Sequence, residues 1–181
     1  MVSEIEKSAI SRLPTRGVYT LVIFIPSETS LIVGKLGTQR FLGGYYAYTG
    51  SAMGRGASGL RHRLLRHLRK GKRRFWHADF LLAHENATVA TIIAAQTDRR
   101  AECQVNRSIK RELRPGILVK GFGSSDCKRG CEAHLLYFGM GNPESKIAMM
   151  YERKFGCKPQ VINFSASLNI QNSQMSSCSL H

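Results

Sequence analysis

The chain has 181 residues, with 27 lysines and arginines against 12 aspartates and glutamates, which gives a formal net charge of +15 at pH 7. Hydrophobic residues make up 43% of the chain, enough for a buried core, and this excludes a chain that is disordered throughout. The length suits one globular domain, alone or with a tail. So large a cationic excess predicts a polyanionic partner, with nucleic acid first and an anionic membrane second.

The sequence lacks the features of an exported or membrane-inserted protein. No run of about 18 apolar residues occurs, so no transmembrane helix is predicted. Residues 1–13 are polar and carry both charge signs, so we expect no secretory signal. The cysteines are Cys103, Cys127, Cys131, Cys157 and Cys178. This odd, irregularly spaced set predicts free thiols in a reducing cytoplasm.

The first third of the chain favours β-strands. Residues 17–25 are rich in β-branched and aromatic side chains and predict a buried strand. Residues 31–33 and 45–49 predict two more strands, with a turn over 34–37 between them. Residues 50–59 are rich in Gly, Ser and Ala and predict a loop.

A helix and a strand follow this loop. Leucines recur at helical spacing from residue 60 to residue 68, and Gly71 is expected to end that helix. Residues 87–95 alternate β-branched positions and predict a strand. Asp98 is a candidate N-cap for a second helix, whose apolar residues run to Leu113.

Signals for regular structure weaken towards the C-terminus. Short apolar segments at 117–119 and 135–138 predict the last strands. We expect a polar lead-in over 1–15, a single domain over 16–141, and a loosely structured or disordered tail over 142–181. The predicted fold class is α/β (α+β), with a small mixed, mainly antiparallel β-sheet flanked by α-helices.

The positive charge is concentrated in one segment, since no acidic residue occurs between Glu28 and Asp79. A solvated helix face usually carries charges of both signs. The cations of the basic segment, residues 61–74, have no acid among them, so they repel one another unless an anion neutralises them. Phosphate backbone is the natural ligand, and membrane binding is disfavoured because the helix's leucines are needed for the core. The residues predicted to bind nucleic acid are Arg55, Arg61, Arg66, Arg69, Lys70, Lys72, Arg73, Arg74 and His77.

Two tyrosine motifs precede the predicted basic helix in the sequence. Gly17-Val18-Tyr19 lies on the first predicted strand and Tyr48-Thr49-Gly50 on a later one. Arg63 and His67 are four residues apart on the basic helix, so they share one face. Glu102 lies near the start of the next predicted helix.

These motifs, in this order, resemble the GIY-YIG nuclease superfamily. The Ser-Ser-Asp-Cys segment at 124–127, followed by His-Leu-Leu-Tyr at 134–137, is similar to a small prokaryotic branch of it, the Uri-type endonucleases, long described as a domain of unknown function. The resemblance covers roughly residues 15–140. It implies a GIY-YIG-like fold and metal-dependent cleavage of DNA, with Mg²⁺ or Mn²⁺ as the cofactor.

The resemblance also implies a role for each catalytic position. Tyr19 would help to activate the attacking water, and Tyr48 would line the scissile phosphate. Arg63 would stabilise charge that develops on the phosphate, while His67 would relay a proton. Glu102 would hold the metal, because a single carboxylate suffices for Mg²⁺ when water and substrate phosphate complete its coordination.

Three departures from the family pattern leave alternatives open. Tyr19 and Tyr48 are far apart, so an extra strand or a long loop is expected between them, and Thr49 replaces the usual aliphatic residue. The family's late asparagine has no clear match. The candidates for an accessory position are Ser124, Ser125 and Asp126. A non-catalytic DNA- or RNA-binding module that retains the fold and the basic helix is therefore the alternative function.

One further pattern concerns metal binding. Cys127, Cys131 and His134 form a C-x3-C-x2-H arrangement. Its spacing is tighter than that of common zinc sites, and the sequence does not reveal a fourth ligand. Ordinary thiols are the expectation, with a structural metal as the alternative.

Overall fold

The computed structural model describes residues 2–156 and 158–164. The strands are β1 (Gly17–Ile25), β2 (Thr29–Ile32), β3 (Thr38–Phe41), β4 (Gly44–Ala52), β5 (Thr88–Ala95), β6 (Leu135–Tyr137) and β7 (Gln160–Asn163). The helices are α1 (Glu4–Ser11), α2 (Leu60–Leu68), α3 (His77–Ala83), α4 (Glu102–Leu113) and α5 (Glu144–Phe155). Among the helices in these ranges, none is both long and apolar enough to cross a membrane.

Five strands form one antiparallel sheet in the order β6-β4-β1-β5-β7, which confirms the predicted fold class. The central strand β1 is buried on both faces, which explains its continuous apolar run. Tyr19 and Leu21 face α1, α2 and α3, whereas Val18 and Val22 face α4 and α5. The sheet therefore separates two cores.

The segment between the two tyrosine motifs contains an added hairpin. Strands β2 and β3 pair with each other as a separate two-stranded sheet, which accounts for the predicted extra strand. The sequence did not reveal β3, because three of its four residues are polar and only Phe41 is buried. Phe41 anchors the hairpin by packing edge-on against Tyr46 and Phe122.

Three local predictions are wrong. Residues 117–119 form neither a strand nor a helix, and Gly116 beside them makes only an isolated bridge, to Tyr137. Asp98 is not the N-cap of α4, since that helix begins at Glu102 and Asp98 pairs with Arg16 at 2.8 Å instead. Helix α2 ends at Leu68 rather than at Gly71, because Arg69 is already extended.

The prediction of a loose tail from residue 142 is wrong for the described part of that segment. Helix α5 buries Ile147, Met150 and Tyr151 in the second core, and β7 pairs with β5. The sequence signal was weak because α5 is short and only one face is apolar. Residues 165–181 lie outside the described residues.

The N-terminal segment also belongs to the fold rather than forming only a polar lead-in. Helix α1 begins with a capping box in which Ser3 and Glu6 satisfy each other's backbone amides. Ile10 and Leu13 at its C-terminal end are fully buried in the first core, against α2. Two buried apolar residues are enough to fix a helix whose other face is solvated.

Candidate functional site

A cleft of about 400 Å³ opens where β4, α2 and the start of α4 meet. The predicted site residues that line it are Tyr48, Arg63, His77, Glu102, Ser125 and Asp126. Trp76 and Arg100 also line it, and the sequence did not single them out. Three of the five predicted catalytic residues therefore face one cleft, although they come from three different elements.

Glu102 is fixed on the cleft wall by a serine of β4. The Ser51 hydroxyl donates to Glu102 Oε2 and accepts from the Glu102 and Ala101 amides at 3.2 and 3.3 Å. Ser51 thus satisfies the free amides at the start of α4, as an N-cap side chain would. The Glu102 side chain also lies at the N-terminal end of α4, where the helix dipole is positive.

Two contacts fix the orientation of the Arg63 side chain in the cleft. Its Nη1 donates to the Ser51 carbonyl at 3.0 Å, and its guanidinium lies 4.7 Å from the centre of the Trp76 ring. Arg66 contacts the same ring at 4.9 Å. Stacking on an aromatic ring leaves the guanidinium edge free to donate, so Arg63 is oriented before any anion arrives.

Tyr19 lies behind the cleft rather than in its wall. It is only 1% exposed, and its hydroxyl is 2.7 Å from His67 Nε2, which is also buried. Tyr19 faces Gly50 across the β1–β4 ladder, and a Cβ at Gly50 would lie 2.5 Å from the tyrosine oxygen. The glycine of the second motif therefore provides space for the tyrosine of the first.

Burial keeps the aromatic groups of the site uncharged at neutral pH. It raises the pKa of Tyr19 well above its usual value and that of Tyr48 to about 12, although the nearby Arg63 charge opposes both shifts. Burial also lowers the pKa of His67 to about 3, with Lys72 adding to the effect. Tyr48 is therefore a hydrogen-bond donor, and His67 a neutral imidazole.

The turn that carries the accessory candidates closes another side of the cleft. His77 Nδ1 accepts from the Gly123 amide at 3.0 Å, so the neutral ring carries its proton on Nε2. Ser125 and Asp126 follow Gly123 and reach the cleft. Ser124 does not line it, because its hydroxyl is directed to the Glu132 carbonyl at 3.3 Å.

A family model described as "Domain of unknown function DUF123" matches residues 18–156. The chain belongs to the DUF123 family. Comparison with curated proteins and with solved structures gave no match. The DUF123 match begins at the second residue of β1 and ends just after α5, so the tyrosines of both motifs, the cleft and helix α5 lie inside the family's segment.

Thr49 of this DUF123 chain has a structural explanation. It lies opposite Thr20 in the β1–β4 ladder, and their hydroxyls are 3.0 Å apart. The Thr20 hydroxyl is also 2.9 Å from that of Tyr151 on α5, and all three residues are buried. The Thr49 hydroxyl therefore belongs to a buried polar chain that docks α5 on the sheet.

The cations of the basic segment differ in exposure and in whether they donate to carbonyls of the chain itself. Arg61 donates to the Leu13 carbonyl at 2.6 Å, Lys70 to the His84 and Ala87 carbonyls at 2.8 and 2.5 Å, and Lys72 to the His67 carbonyl at 2.8 Å. The Lys72 side chain is only 3% exposed, so its predicted contact with phosphate is wrong. The exposed predicted cations are Arg55, Arg69, Lys70, Arg73 and Arg74.

Buried Asp79 explains why Arg66 is also partly structural. Arg66 pairs with Asp79 at 2.7 Å, and Asp79 also accepts from the Phe75 and Trp76 amides. Burial alone would raise the pKa of Asp79, but these hydrogen bonds together lower it below its ordinary value. The sequence signal was an acid three residues after Trp76, at the position that caps the start of α3.

Next to the cleft, the predicted C-x3-C-x2-H residues meet a fourth partner. The ligand atoms of Cys127, Cys131, His134 and Cys103 all lie within 4.8 Å of one another. Cys103 directly follows Glu102 on α4, far from the other three in sequence. Sequence spacing alone did not identify it, because only the packing of the loop on α4 brings it close.

Proposed function

We propose that this chain is a metal-dependent endonuclease that hydrolyses DNA phosphodiester bonds in the cleft. The observation that carries the proposal is the convergence of Arg63, Tyr48 and Glu102 on one cleft. These groups supply a fixed cation, a neutral hydroxyl donor and a carboxylate. Phosphoryl transfer needs such positioning and charge neutralisation more than it needs covalent participation by the protein.

Each group has a definite part in this proposal. Arg63, held by Ser51 and Trp76, presents its free guanidinium edge to two phosphoryl oxygens. Tyr48 keeps its proton at neutral pH, so it donates a hydrogen bond to a phosphate oxygen. Tyr19 of β1 and His67 of α2, buried behind the cleft, tie α2 to the sheet and so help to fix the place of Arg63.

The donor set fits Mg²⁺ or Mn²⁺. Both are hard cations that prefer oxygen ligands, and Mg²⁺ usually keeps several waters and takes only one or two carboxylates. Glu102 and Asp126 line the same cleft, and both are carboxylates. When bound, such a cation polarises the phosphate and favours deprotonation of the attacking water.

The surface around the cleft suits a nucleic-acid backbone. Phe75 lines the cleft and is 77% exposed, and Arg69, Arg73 and Arg74, close to it in the sequence, are also exposed. Arginines neutralise phosphates, while an exposed aromatic ring offers a face on which an unpaired base stacks. The free thiols of Cys103, Cys127 and Cys131 suit a reducing cytoplasm, where we place the protein.

A non-catalytic DNA- or RNA-binding module is the second candidate, and a specific observation favours it. Tyr19 and His67 are the groups that would move protons, yet burial opposes the ionisation of both. A module that only binds needs the exposed arginines and the cleft, and it needs no base. Cleavage itself decides between the two.

The deciding experiment compares Glu102→Gln with wild type on labelled duplex, single-stranded, flap and branched DNA, with matching RNA substrates, in the presence and absence of Mg²⁺ or Mn²⁺. We expect metal-dependent cleavage of DNA by the wild type and a loss of at least about 100-fold in the variant, with binding retained. Glu85→Gln is the matched control, since it removes the same charge from an exposed position outside the cleft.

Two results contradict the nuclease proposal. One is tight binding by the wild type without cleavage of any substrate, which establishes the binding module. The other is equal cleavage by wild type and Glu102→Gln, which moves the activity away from this cleft. Cleavage of RNA alone would correct the substrate class.

A further inference from the structure

A compact group of four metal-binding side chains joins α4 to the long loop after it. Cys103 Sγ is 3.5 Å from Cys127 Sγ and 3.7 Å from His134 Nε2. With Cys131, all four ligand atoms lie within 4.8 Å of one another. Two of the residues, Cys103 and His134, are buried. The Mg²⁺ or Mn²⁺ proposed above takes oxygen ligands, so this sulfur-rich group is a different site.

These separations match the edges of a zinc tetrahedron. With Zn–S near 2.3 Å and Zn–N near 2.0–2.1 Å, tetrahedral geometry places two sulfurs about 3.8 Å apart and a sulfur and a nitrogen about 3.6 Å apart. The observed 3.5 and 3.7 Å are within a few tenths of an ångström of those values. Three thiolates and one imidazole form a complete structural zinc set, with no open position for a substrate.

A disulfide does not explain the same group. A disulfide bond is about 2.05 Å long, whereas the Cys103 and Cys127 sulfurs are 3.5 Å apart. Any single disulfide among the three cysteines leaves one thiol unpaired and does not explain why His134 lies within the group. The cations Arg100, Lys128 and Arg129 line the adjoining cavity, where their charge would offset the net negative charge of three thiolates on one Zn²⁺.

The loop itself needs an additional constraint. Residues 117–134 contain no helix or strand, and only a few of their apolar side chains, among them Val119 and Phe122, are buried. Irregular segments of this length are uncommon inside a compact domain unless something holds them. Asn106 of α4 makes one direct tie, donating to the Ala133 carbonyl at 2.8 Å.

We propose that Cys103, Cys127, Cys131 and His134 bind one structural Zn²⁺. Binding releases the three thiol protons to solvent and fastens the loop to the first turn of α4. Cys103 follows Glu102, and Cys127 follows Asp126. The zinc therefore fixes the backbone beside both carboxylates of the cleft, from outside the cleft.

The test measures zinc directly and does not depend on cleavage. The full chain is purified without added metal and analysed by native mass spectrometry and elemental analysis, before and after a zinc chelator. We expect one zinc per chain in the wild type and at least a tenfold faster release to chelator in Cys103→Ser and Cys131→Ser. Cys178→Ser, which changes a cysteine outside the group, is the matched control and keeps the wild-type rate.

A second variant and a second metal guard against simple misfolding. Cys131→His exchanges one zinc ligand for another, so we expect it to hold one zinc per chain against the chelator. Cys131→Ser removes the ligand and releases the zinc faster. Co²⁺ substituted into the wild type gives the intense visible absorption of a tetrahedral, thiolate-bound site. Wild-type protein that carries no zinc, takes up none, and has all its thiols open to alkylation overturns the proposal. The same result with intact DNA cleavage would leave the nuclease proposal standing.

Discussion

Replacing His67 by Gln should remove a specific acid sensitivity of the fold. His67 is 2% exposed and packed between Tyr19, Tyr48 and Trp76, with Lys72 and Arg63 nearby. Burial lowers its pKa from 6.5 to about 3. Glutamine keeps a polar group that can bond to the Tyr19 hydroxyl, yet it cannot take up a proton in this range.

The sign and size of the effect follow from proton linkage. Between pH 6.5 and 3 the unfolded chain binds a proton at this residue and the folded chain does not, so acid lowers the free energy of unfolding. At about 1.4 kcal/mol per pH unit, the full shift amounts to about 5 kcal/mol, and roughly half of it is lost between pH 7 and pH 4.5. Above pH 6.5 the contribution is constant.

The assay is urea unfolding at several values between pH 7 and pH 4.5, followed by the fluorescence of Trp76, the one tryptophan. Stability should fall more steeply with acid in the wild type than in His67→Gln, and the curves should converge by about 2–3 kcal/mol. His62→Gln, an exposed histidine on the same helix, is the control and should follow the wild type. Parallel curves for wild type and His67→Gln would refute the buried neutral imidazole.

Two further predictions concern the second tyrosine motif and the exposed charge. Gly50→Ala should lower the free energy of unfolding in urea by about 1–3 kcal/mol, because the added Cβ meets the Tyr19 oxygen. The control Gly71→Ala, whose Cβ meets nothing within 4 Å, should lower it by less than about 1 kcal/mol, and equal losses would contradict the contact. Arg69→Gln should lower the affinity for DNA of any sequence and reduce the slope of log affinity against log salt concentration by about one. The control Lys146→Gln on α5 should change neither quantity, and an unchanged slope in Arg69→Gln would move the binding surface away from α2.

The sequence was sufficient for the parts of the fold that local patterns encode. β1 reads as a continuous apolar run because helices cover both faces of the sheet, and the leucine spacing of α2 gives its buried side. The order of the two tyrosine motifs, the basic helix and Glu102 was enough to place Tyr48, Arg63 and Glu102 in one cleft. The strand and the helix follow from residue types at short spacing, whereas the grouping of Tyr48, Arg63 and Glu102 was predicted from the resemblance that the order of the motifs suggests.

Features that depend on contacts between distant segments were missed. Cys103 joins the metal group only through the packing of the loop on α4, and Ser51, rather than Asp98, caps that helix from a neighbouring strand. Local sequence predicts an exposed cation at Lys72, but its side chain is buried, where it pairs with Asp79 and donates to the His67 carbonyl. Local sequence cannot distinguish a cation that binds phosphate from one that the fold itself uses.

The strand order has a consequence for synthesis on the ribosome. β1 emerges early but lies in the middle of the sheet, and its neighbour β5 stays open on one edge until β7, at residues 160–163, has been made. An open apolar edge is a template for pairing with another nascent chain. A message truncated before β7 would therefore yield a product that aggregates, and a pause in translation after β5 would prolong the same exposure.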